Sequence, residues 1–587
     1  MSASVVRSRP GRPLAAALLA AACLALIGLG RTTAAGRAEQ PTTPVEIDRL
    51  LMYEIKAHSQ LMKNLQYLSD VIGPRLTGSK NAENANHWTA EKMKEYGLEN
   101  VRLEAWEIPM GWQRGTARMK VVEPETNTQI VIAAGGWSPG TNGKVTGPVV
   151  IVSATNKDDL KKYKGKLKDA VVLTRPPQKV APITDPSYGP IGAPPAGKKA
   201  AAKKDVNDLK KEEIAAEKKD DPKKDEAKKG FQGKKGGGGG GFGFNQGFQA
   251  ELSDFYKAEG VACTVIDSGK PHGLLTMSGG WPRGDRAAVP DGPARVYMAH
   301  ESYALLWRLA SRPEPAVTKV EFEITNTFVP GPVTVYNTVG EIRGSEKPDE
   351  FVVVGAHLDS WDLGTGTTDN GTGSCVVLET ARAIATLAKQ GVRPKRTIRF
   401  CLFTGEEEGL HGSRQYVAKH KDEMPKTSIA LVHDTGTGKV VGFGTHGQEK
   451  VKAVMEPELA TLKEMEGWKG LDLGGIGGSD HQSFHGSGVP GFACRQDVDE
   501  YRLTHHTQSD TFDHAKEPNL VQGAQVMAVT AMRVANMPDL LPRMEGGGKG
   551  GFGGFGGRKK DAEPKKDEKK DPETKKPDPA PAPRNRE

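Results

Sequence analysis

Two periods of apolar residues divide this chain into predicted strands and helices. The run FVVV at residues 351–354 is aromatic or β-branched throughout, which predicts a strand buried on both faces. Apolar spacings of three and four predict amphipathic helices, at residues 45–96, 373–389, 410 onward, 451–465 and 520–536. Short apolar runs between these helices predict further strands, at residues 397–403, 429–432 and 440–444. The alternation of strands and helices after residue 317 predicts an α/β fold.

Residues 100–132 alternate as strands do, but the alternation changes phase. Val101 and Leu103 share one face of the predicted strand, whereas Trp106 and Ile108 lie in the opposite phase. This change predicts a β-bulge or bend between Leu103 and Trp106. The strand-like segments VEFEI and VTVYNTVGEI then lead towards the strand at 351–354.

Low-complexity sequence interrupts the middle of the chain and forms its end. Residues 190–248 pass from Pro and Gly through a Lys/Glu/Asp block into polyglycine, a composition that predicts disorder because it cannot bury a core. Short strands around this segment predict a smaller β-rich domain over 135–293, inserted between two parts of the main domain, 39–134 and 294–543. Residues 544–587 are rich in Gly, Lys and Pro and predict a disordered tail.

The N-terminus has the pattern of an export signal. Three arginines precede an apolar run from Leu14 to Leu29, and small residues follow, so residues 1–38 predict a signal peptide and a secreted or periplasmic protein. The apolar run is short for a membrane span and no second run of its length follows, so we expect no stable span, with a retained anchor as the alternative. The four cysteines beyond this segment show no paired spacing; they predict buried free thiols, with a disulfide as the alternative.

Basic residues are concentrated in the segments that are predicted to lack a core. The formal net charge is +8, but the leader, residues 198–235 and residues 546–587 together carry a larger positive excess than this. The rest of the chain is mildly acidic, so we expect no nucleic acid partner. The lysines of the two low-complexity segments alternate with Asp and Glu, which favours solvated linkers over a polyanion- or cell-surface-binding region.

Acidic and histidine side chains follow the ends of several predicted strands. His357, Asp359 and Asp369 come directly after the strand at 351–354, in a loop rich in Gly and Thr. The carboxyl edge of an open α/β sheet is where such folds place their sites. Further candidates follow later in the chain: Glu406, Glu407, Glu408, Asp434, His505, His506 and Asp510. Two histidines and three carboxylates from this set form a mixed nitrogen and oxygen ligand set that suits zinc.

The motifs GAHLDSW, TTDNGTG, FTGEEEGLHGS, VHD, GGSDHQSF and HHTQSDT occur together and in this order. With them the chain resembles the M28 family of zinc exopeptidases, in particular its carboxypeptidase Q or plasma glutamate carboxypeptidase branch, over roughly residues 45–536. The resemblance implies a zinc-exopeptidase-like α/β/α sandwich with a mixed central sheet, and an inserted β-rich domain of protease-associated type. It also implies a peptide substrate. Homodimers occur in the resembled branch, although no surface of this chain stands out as a dimer contact.

The resemblance further implies two zinc ions per chain. His357 and Asp434 would bind one ion, Glu407 and His506 the other, and Asp369 would bridge them. A shared carboxylate suits two divalent ions about 3.5–4 Å apart. The spacing before an Asp-Thr pair selects the second histidine of HHTQSDT as the ligand.

Glu406 is the implied general base and acid of this site, and Asp359 is its implied support. Glu406 would deprotonate a metal-activated water and pass the proton to the leaving amine. Asp359 stands two residues after His357, and we expect its carboxylate to accept the second imidazole N–H.

Four further residues are candidates for substrate binding, oxyanion stabilisation or support of the pocket: His505, Asp480, His481 and Trp361. Each has a structural alternative. The histidine can be solvated, the Asp-His pair can belong to a structural turn, and the tryptophan can be a packing residue.

Together these expectations describe a secreted zinc-dependent exopeptidase that hydrolyses terminal bonds of peptides or dipeptides with a free N-terminus. Two alternatives stay open on the same fold, a glutaminyl-cyclase-like acyl transferase and a non-catalytic binding relative. The complete set of ligands and base argues against the binding relative. The ligands alone do not exclude the cyclase.

Overall fold

The computed structural model describes residues 43–180, 246–281, 289–313, 315–497 and 501–544. The predicted signal peptide, most of the predicted disordered segment at 190–248 and the predicted tail beyond Met544 lie outside these residues. Residues 246–248 are described, and they belong to the helix Gln246–Glu259. The prediction of disorder was wrong for these three residues, because a helix can begin before the first residue of its apolar pattern.

Helices occur in each of the five ranges where the apolar spacing predicts them, and further helices, such as the one at His300–Ala310, were not predicted. Their bounds are α1 Pro44–His58, α2 Leu61–Gln66, α3 Lys80–Tyr96, α4 Lys157–Leu160, α5 Gln246–Glu259, α6 His300–Ala310, α7 Thr372–Lys389, α8 His411–Lys419, α9 Glu449–Glu458, α10 Gln482–His485, α11 Tyr501–Thr504 and α12 Glu517–Asn536. Local signals fix the ends of the first helices. Thr43 and Glu46 form a capping box at the start of α1. Ser79 caps α3, which ends at Gly97 in the left-handed conformation (φ 90°).

The strands form two sheets of eight strands each within the described residues. Their bounds are β1 Glu99–Gln113, β2 Ala117–Glu123, β3 Gln129–Ile130, β4 Ile132–Ala134, β5 Val145–Ile151, β6 Val171–Leu173, β7 Cys263–Asp267, β8 Ala294–Met298, β9 Lys319–Ile324, β10 Thr327–Ile342, β11 Lys347–His357, β12 Arg396–Phe403, β13 Thr427–Val432, β14 Val440–Gly444, β15 Gly470–Asp472 and β16 Gly491–Gln496. The sheet that contains the longer strands, called the larger sheet below, has the order β1-β10-β12-β11-β13-β16-β14-β15. Parallel pairs at its centre (β12-β11-β13-β16) are flanked by antiparallel pairs, so the predicted mixed α/β sheet is confirmed.

Helices cover both faces of the larger sheet. Val352 and Val354 of β11 belong to one apolar core together with residues of α7 and α12. Val353, whose side chain points to the opposite face, belongs to a second core with Tyr416 of α8 and Phe484 of α10. Burial on both faces explains why β11 reads as a continuous apolar run rather than as an alternating one.

The second sheet has the order β3-β2-β9-β5-β6-β7-β8-β4 and extends beyond the bounds 135–293 predicted for the inserted domain. Strands β2 to β4 precede this range, and β8 and β9 follow it. The segment VEFEI, expected to lead into the larger sheet, is part of β9 and pairs with β2 and β5 instead. Its alternating pattern fits a strand of either sheet, so the sequence alone did not show which one it joins.

The predicted bulge between Leu103 and Trp106 is not found. β1 pairs with β10 without interruption from Arg102 to Ile108, and its register shifts lie at 99–102 and 108–110. The change of phase has another cause. Glu104 lies on the same face as Trp106 and is buried, with its carboxylate 3.0 Å from Nε2 of His420. The inward face of β1 therefore includes a buried charged residue, which a pattern of apolar residues alone does not show.

The four cysteines of the described residues are buried and free, as predicted: Cys263, Cys375, Cys401 and Cys494. No helix in the described part of the chain is long and apolar enough to cross a membrane.

Candidate metal centre

Parallel strands bring the first candidate ligands to one edge of the larger sheet. His357 is the last residue of β11, and its neighbours β12 and β13 run parallel to it. Glu406 and Glu407 follow the end of β12, and Asp434 follows the end of β13. The carboxyl edge of this sheet therefore holds four of the predicted site residues, as expected for an open α/β sheet.

Arg75 fixes the loop that connects β11 to α7. Its side chain is fully buried and donates hydrogen bonds to the carbonyl oxygens of Leu358 (2.7 Å), Thr365 (2.9 Å) and Gly366 (2.6 Å). These acceptors lie near the beginning and the end of the loop. A single guanidinium therefore holds the loop folded, which returns the chain to the sheet edge at Asp369.

Asp510 holds the backbone at the end of the same loop. Its two carboxylate oxygens accept hydrogen bonds from the amides of Thr368 (2.5 Å) and Asp369 (3.2 Å). The segment that follows α11 is thereby tied to the Asp369 backbone, and it also carries His506.

The carboxylate of Asp369 lies between the two halves of the site. On one side, Nε2 of His357 is 3.4 Å from Oδ1 of Asp369 and 3.2 Å from Oδ1 of Asp434. On the other, Nε2 of His506 is 3.4 Å from Oδ2 of Asp369 and 3.0 Å from Oε2 of Glu407. The five residues expected to bind metal therefore meet in one cluster, with the two oxygens of Asp369 facing different histidines.

The donor atoms of this cluster fit divalent cations. Oδ2 of Asp369 and Oε1 of Glu407 are buried oxygens without a hydrogen-bond partner among the described residues. Buried carboxylate oxygens are normally paired, so unpaired ones in a group of acids call for a cation. His357, Asp369 and Asp434 offer three ligand atoms within 4.8 Å of one another. Imidazole and carboxylate donors of this kind suit zinc.

The second half of the site offers two sets of ligands. Glu407 and His506 are in contact, as described above, and both reach towards Asp369. Asp369, His506 and His505 also place one ligand atom each within 4.8 Å of one another. The rings of the two histidines stack with their centres 3.8 Å apart. The side chain of His505 is 44% exposed and that of His506 26% exposed, so the site opens to solvent on this side.

The charges of these buried groups shift the pKa values of their neighbours. Burial raises the pKa of Glu407 well above its usual value, and the negative charge of Asp369 raises it further. Burial alone would lower the pKa of His357, but the charges of Asp434 and Glu406 raise it well above the usual value. Carboxylates whose pKa is raised by one another are relieved by any bound cation.

Asp359 approaches His357 more closely through its backbone carbonyl oxygen than through the carboxylate that the prediction names. Nδ1 of His357 is 3.0 Å from the backbone carbonyl oxygen of Asp359, whereas the nearest carboxylate oxygen is 3.7 Å away. The carboxylate accepts hydrogen bonds from the hydroxyl of Thr77 (3.1 Å) and from the amide of Glu407 (3.3 Å) instead. A spacing of two residues suits the carbonyl and the carboxylate equally, so the sequence did not distinguish them.

Glu406 lies beside the half of the site formed by His357 and Asp434. No hydrogen bond of its carboxylate is found in the described residues. Burial raises the pKa of Glu406 well above its usual value, the charge of His357 opposes this, and the charges of Asp434 and Asp480 add to it. Asp480 is fully buried, and its two carboxylate oxygens lack hydrogen-bond partners among the residues described.

The remaining candidates surround this cluster at different distances. Trp361 is buried in the core of the second sheet, and its ring meets that of His506 edge-on at 6.0 Å. His481 is fully buried and contacts two other histidines rather than the cluster at Asp369.

Sequence reasoning missed two basic residues near the site. One is Arg75, a single arginine between two helices that carries no motif. The other is Lys270, in the loop after β7 of the second sheet, whose ammonium donates to the carbonyl oxygens of Arg502 (2.5 Å) and His505 (2.9 Å). No local pattern marks such long-range contacts to backbone carbonyls.

Comparison with known proteins identifies the family. The profile of Peptidase family M28 matches residues 337–531. Carboxypeptidase Q from Pongo abelii is 30% identical over 495 residues, which cover 83% of this chain and 88% of that protein.

Two solved structures share the fold. A Peptidase M28 precursor from Shewanella amazonensis has a TM-score of 0.64 at 23% identity, over 85% of this chain and 98% of that one. A zinc aminopeptidase from Bacillus subtilis has a TM-score of 0.52 at 18% identity, over 82% of this chain and 98% of that one. With the matched profile, the long alignment to carboxypeptidase Q and these shared folds, the chain belongs to peptidase family M28.

Proposed function

We propose that the chain is a secreted or periplasmic zinc-dependent exopeptidase that removes terminal residues from peptides or dipeptides with a free N-terminus. The observation that carries the proposal is the position of Asp369, whose two carboxylate oxygens face His357 and His506. The similar proteins are named as a carboxypeptidase and as zinc aminopeptidases, which supports cleavage at chain ends. The export-signal pattern at residues 1–38 supports the location.

His357 and Asp434 would hold one zinc ion, Glu407 and His506 would hold the second, and Asp369 would contact both. The unpaired buried oxygens of Asp369 and Glu407 support this assignment. Zinc in such a pair supplies Lewis-acid polarisation of the scissile carbonyl and lowers the pKa of water. All five residues lie on segments that Arg75, Asp510 or the sheet itself holds in place.

Glu406 would take a proton from the attacking water and deliver it to the leaving amine. Its carboxylate is committed to no hydrogen bond in the described residues, and it lies within the electrostatic reach of His357 and Asp434. A carboxylate whose pKa is raised by burial is a stronger base than an exposed one, and its conjugate acid persists to higher pH. Both properties suit a group that first accepts and then donates a proton.

The second sheet would form one wall of the substrate site. Thr276 in the loop after β7 makes an isolated β-bridge to Thr507, next to His506. The amide of Leu275 donates a 2.8 Å hydrogen bond to the side chain of Gln508. We propose that this sheet includes the inserted domain of protease-associated type, and that these contacts limit how much of a peptide can extend past the catalytic residues.

The test is hydrolysis of a panel of dipeptides, amino-acyl amides and N-acetylated dipeptides, with zinc content measured on the same sample. We expect cleavage of unblocked substrates and no cleavage of the acetylated ones. Glu406→Gln should reduce kcat by about 10²–10⁴-fold while zinc content stays the same. Glu464→Gln, which changes an exposed acid in a surface salt bridge with Arg49, is the control.

Full activity of Glu406→Gln would contradict the assigned base, and cyclisation of N-terminal Gln without hydrolysis would favour a glutaminyl-cyclase-like transferase. The mass of the mature protein tests the location, since removal of a leader near residue 38 is expected after export.

A further inference from the structure

A second cluster of histidines lies away from the cluster at Asp369. It consists of His446, two residues after the end of β14, His481, directly before α10, and His485, the last residue of α10. Their ring centres are 5.3 Å (His446 to His481), 4.8 Å (His446 to His485) and 5.6 Å (His481 to His485) apart. Two segments therefore supply the three imidazoles, the loop after β14 and the short helix α10 with its N-cap residue.

Hydrogen bonds fix the tautomers of two of these rings. Nε2 of His481 is 2.9 Å from the carbonyl oxygen of Ile476, and Nε2 of His485 is 2.9 Å from that of Gly491. A carbonyl oxygen can only accept, so each Nε2 carries the proton and each Nδ1 has a free lone pair. Metal-binding histidines characteristically donate their second ring N–H to a backbone carbonyl in this way.

Two ring nitrogens of this cluster lack hydrogen-bond partners. Nδ1 of His481 and Nε2 of His446 are buried and have no hydrogen-bond partner among the described residues. One ring nitrogen from each of the three histidines lies within 4.8 Å of the others. Buried polar atoms are seldom left unpaired, so unpaired ring nitrogens within a group of three histidines indicate a cation site.

The rings are also in the protonation state that a metal needs. Burial lowers the pKa of His446 to about 4 and that of His481 to about 3, so both are neutral near pH 7.

We propose that His446, His481 and His485 bind a divalent transition-metal ion, with zinc as the expected occupant. Three neutral imidazoles form a borderline nitrogen set of the kind that zinc prefers, and they leave one position for water. Zinc–nitrogen bonds of about 2.1 Å place tetrahedral ligands about 3.4 Å apart, so small side-chain rotations would close the present spacing.

Two glycines allow the backbone to pack closely against the histidines of this cluster. A Cβ atom at Gly475 would lie 2.2 Å from Nδ1 of His446, and one at Gly491 would lie 2.3 Å from the carbonyl oxygen of His481. Both positions therefore require glycine. A metal here would tie the loop between β15 and α10 to the end of β14, and that loop carries Asp480, beside the proposed base Glu406.

Zinc binding to purified full-length chain tests the site. After chelation, reloading with zinc and desalting, His446→Gln and His485→Asn should each bind one zinc fewer per chain than the unmodified protein. His87→Gln, which changes an exposed histidine, should bind the same number. The difference should persist in an Asp369→Asn background, which separates this site from the proposed catalytic pair.

Labelling of the unmodified protein with an acylating histidine reagent gives a second readout that needs no variant. Zinc should protect His446 and His485 from modification, as read by mass spectrometry. Unchanged zinc content in both variants, or equal labelling with and without zinc, would overturn the proposal. A variant that loses cooperative unfolding is set aside, and the labelling result then decides.

Discussion

The backbone amide of Asp369 donates a 3.2 Å hydrogen bond to Oδ2 of Asp510. Asp510 also accepts from the amide of Thr368, and the two amides together place the carboxylate of Asp369 between His357 and His506. The carboxylate of Asp510, which need not contact metal itself, therefore fixes the position of Asp369, the proposed bridging ligand.

Asp510→Ala should reduce both zinc content and kcat, because it leaves two buried amides unpaired at a cost of about 1–3 kcal/mol each. Asp510→Asn keeps one acceptor oxygen and should lose less of both. Zinc content, kcat and the free energy of unfolding of the two variants check this order. Asp513→Asn, at an exposed position, is the control, and a loss in Asp510→Asn equal to that in Asp510→Ala would contradict the role of the acceptor.

Arg75→Met should destabilise the fold by more than about 3 kcal/mol, since it leaves several buried carbonyl oxygens without their charged donor. Arg75→Lys retains the charge but cannot donate to all of these oxygens at once, so it should recover only part of the loss. Denaturant unfolding measures both effects. Arg49→Met, at an exposed salt bridge, should change stability by about 0.5 kcal/mol or less. Equal stability of Arg75→Lys and the unmodified chain would contradict the geometric argument.

These two residues show where sequence reasoning reaches its limit. The strand at 351–354, the helix at 373–389 and the candidate ligands at strand ends followed from periodicity and residue type, and the structure brings those ligands together. Arg75 and Asp510 act on backbone atoms far away in the sequence, and such contacts leave no local pattern.

The same limit explains the errors. Segment 320–324 has the alternation of a strand, but alternation does not specify which of two sheets a strand joins. The carbonyl and the carboxylate of Asp359 stand equally close to His357 in the sequence, and only the fold places the carbonyl nearer. Glu104 is a charged residue at an inward-facing position of β1, where an apolar residue would be expected. It can be buried there because His420 and Arg102 are its hydrogen-bond partners.

Glu104 should make stability depend on pH in the acid range. Burial alone would raise the pKa of Glu104, but the hydrogen bond from His420 and the charges of His420 and Arg102 lower it from 4.5 to about 2. A carboxylate with a depressed folded-state pKa stabilises the protein above its unfolded pKa, and this contribution is lost as the pH falls from about 4.5 to about 2.

The size of this contribution is roughly 3 kcal/mol, at about 1.4 kcal/mol per pKa unit. Glu104→Gln should therefore flatten the dependence of the free energy of unfolding on pH between these values. Glu107→Gln, at an exposed position of the same strand, is the control. The same slope in Glu104→Gln and the unmodified chain would contradict the assignment.

Removing metal should lower the thermal stability. Without cations, Asp369, Glu407 and Asp434 are left as neighbouring buried acids, and burial and mutual repulsion already raise the pKa of Glu407. An ion present at 1,000 times its Kd stabilises the folded state by about 4 kcal/mol, so chelation should lower Tm by at least several degrees. Differential scanning calorimetry with and without a chelator measures the shift. The shift should be smaller in Asp369→Asn, in which chelation still removes zinc from the proposed site at His446, His481 and His485. A shift in Asp369→Asn equal to that in the unmodified chain would contradict a metal site in this cluster.

The position of the metal ions can be measured directly by diffraction from zinc-loaded crystals at the zinc absorption edge. At the carboxyl edge of the larger sheet we expect two anomalous peaks about 3.5–4 Å apart. One should lie between His357 and Asp434, the other between Glu407 and His506, and the carboxylate of Asp369 should contact both. A single peak at this edge, or two peaks of which only one contacts Asp369, would contradict the proposed bridge.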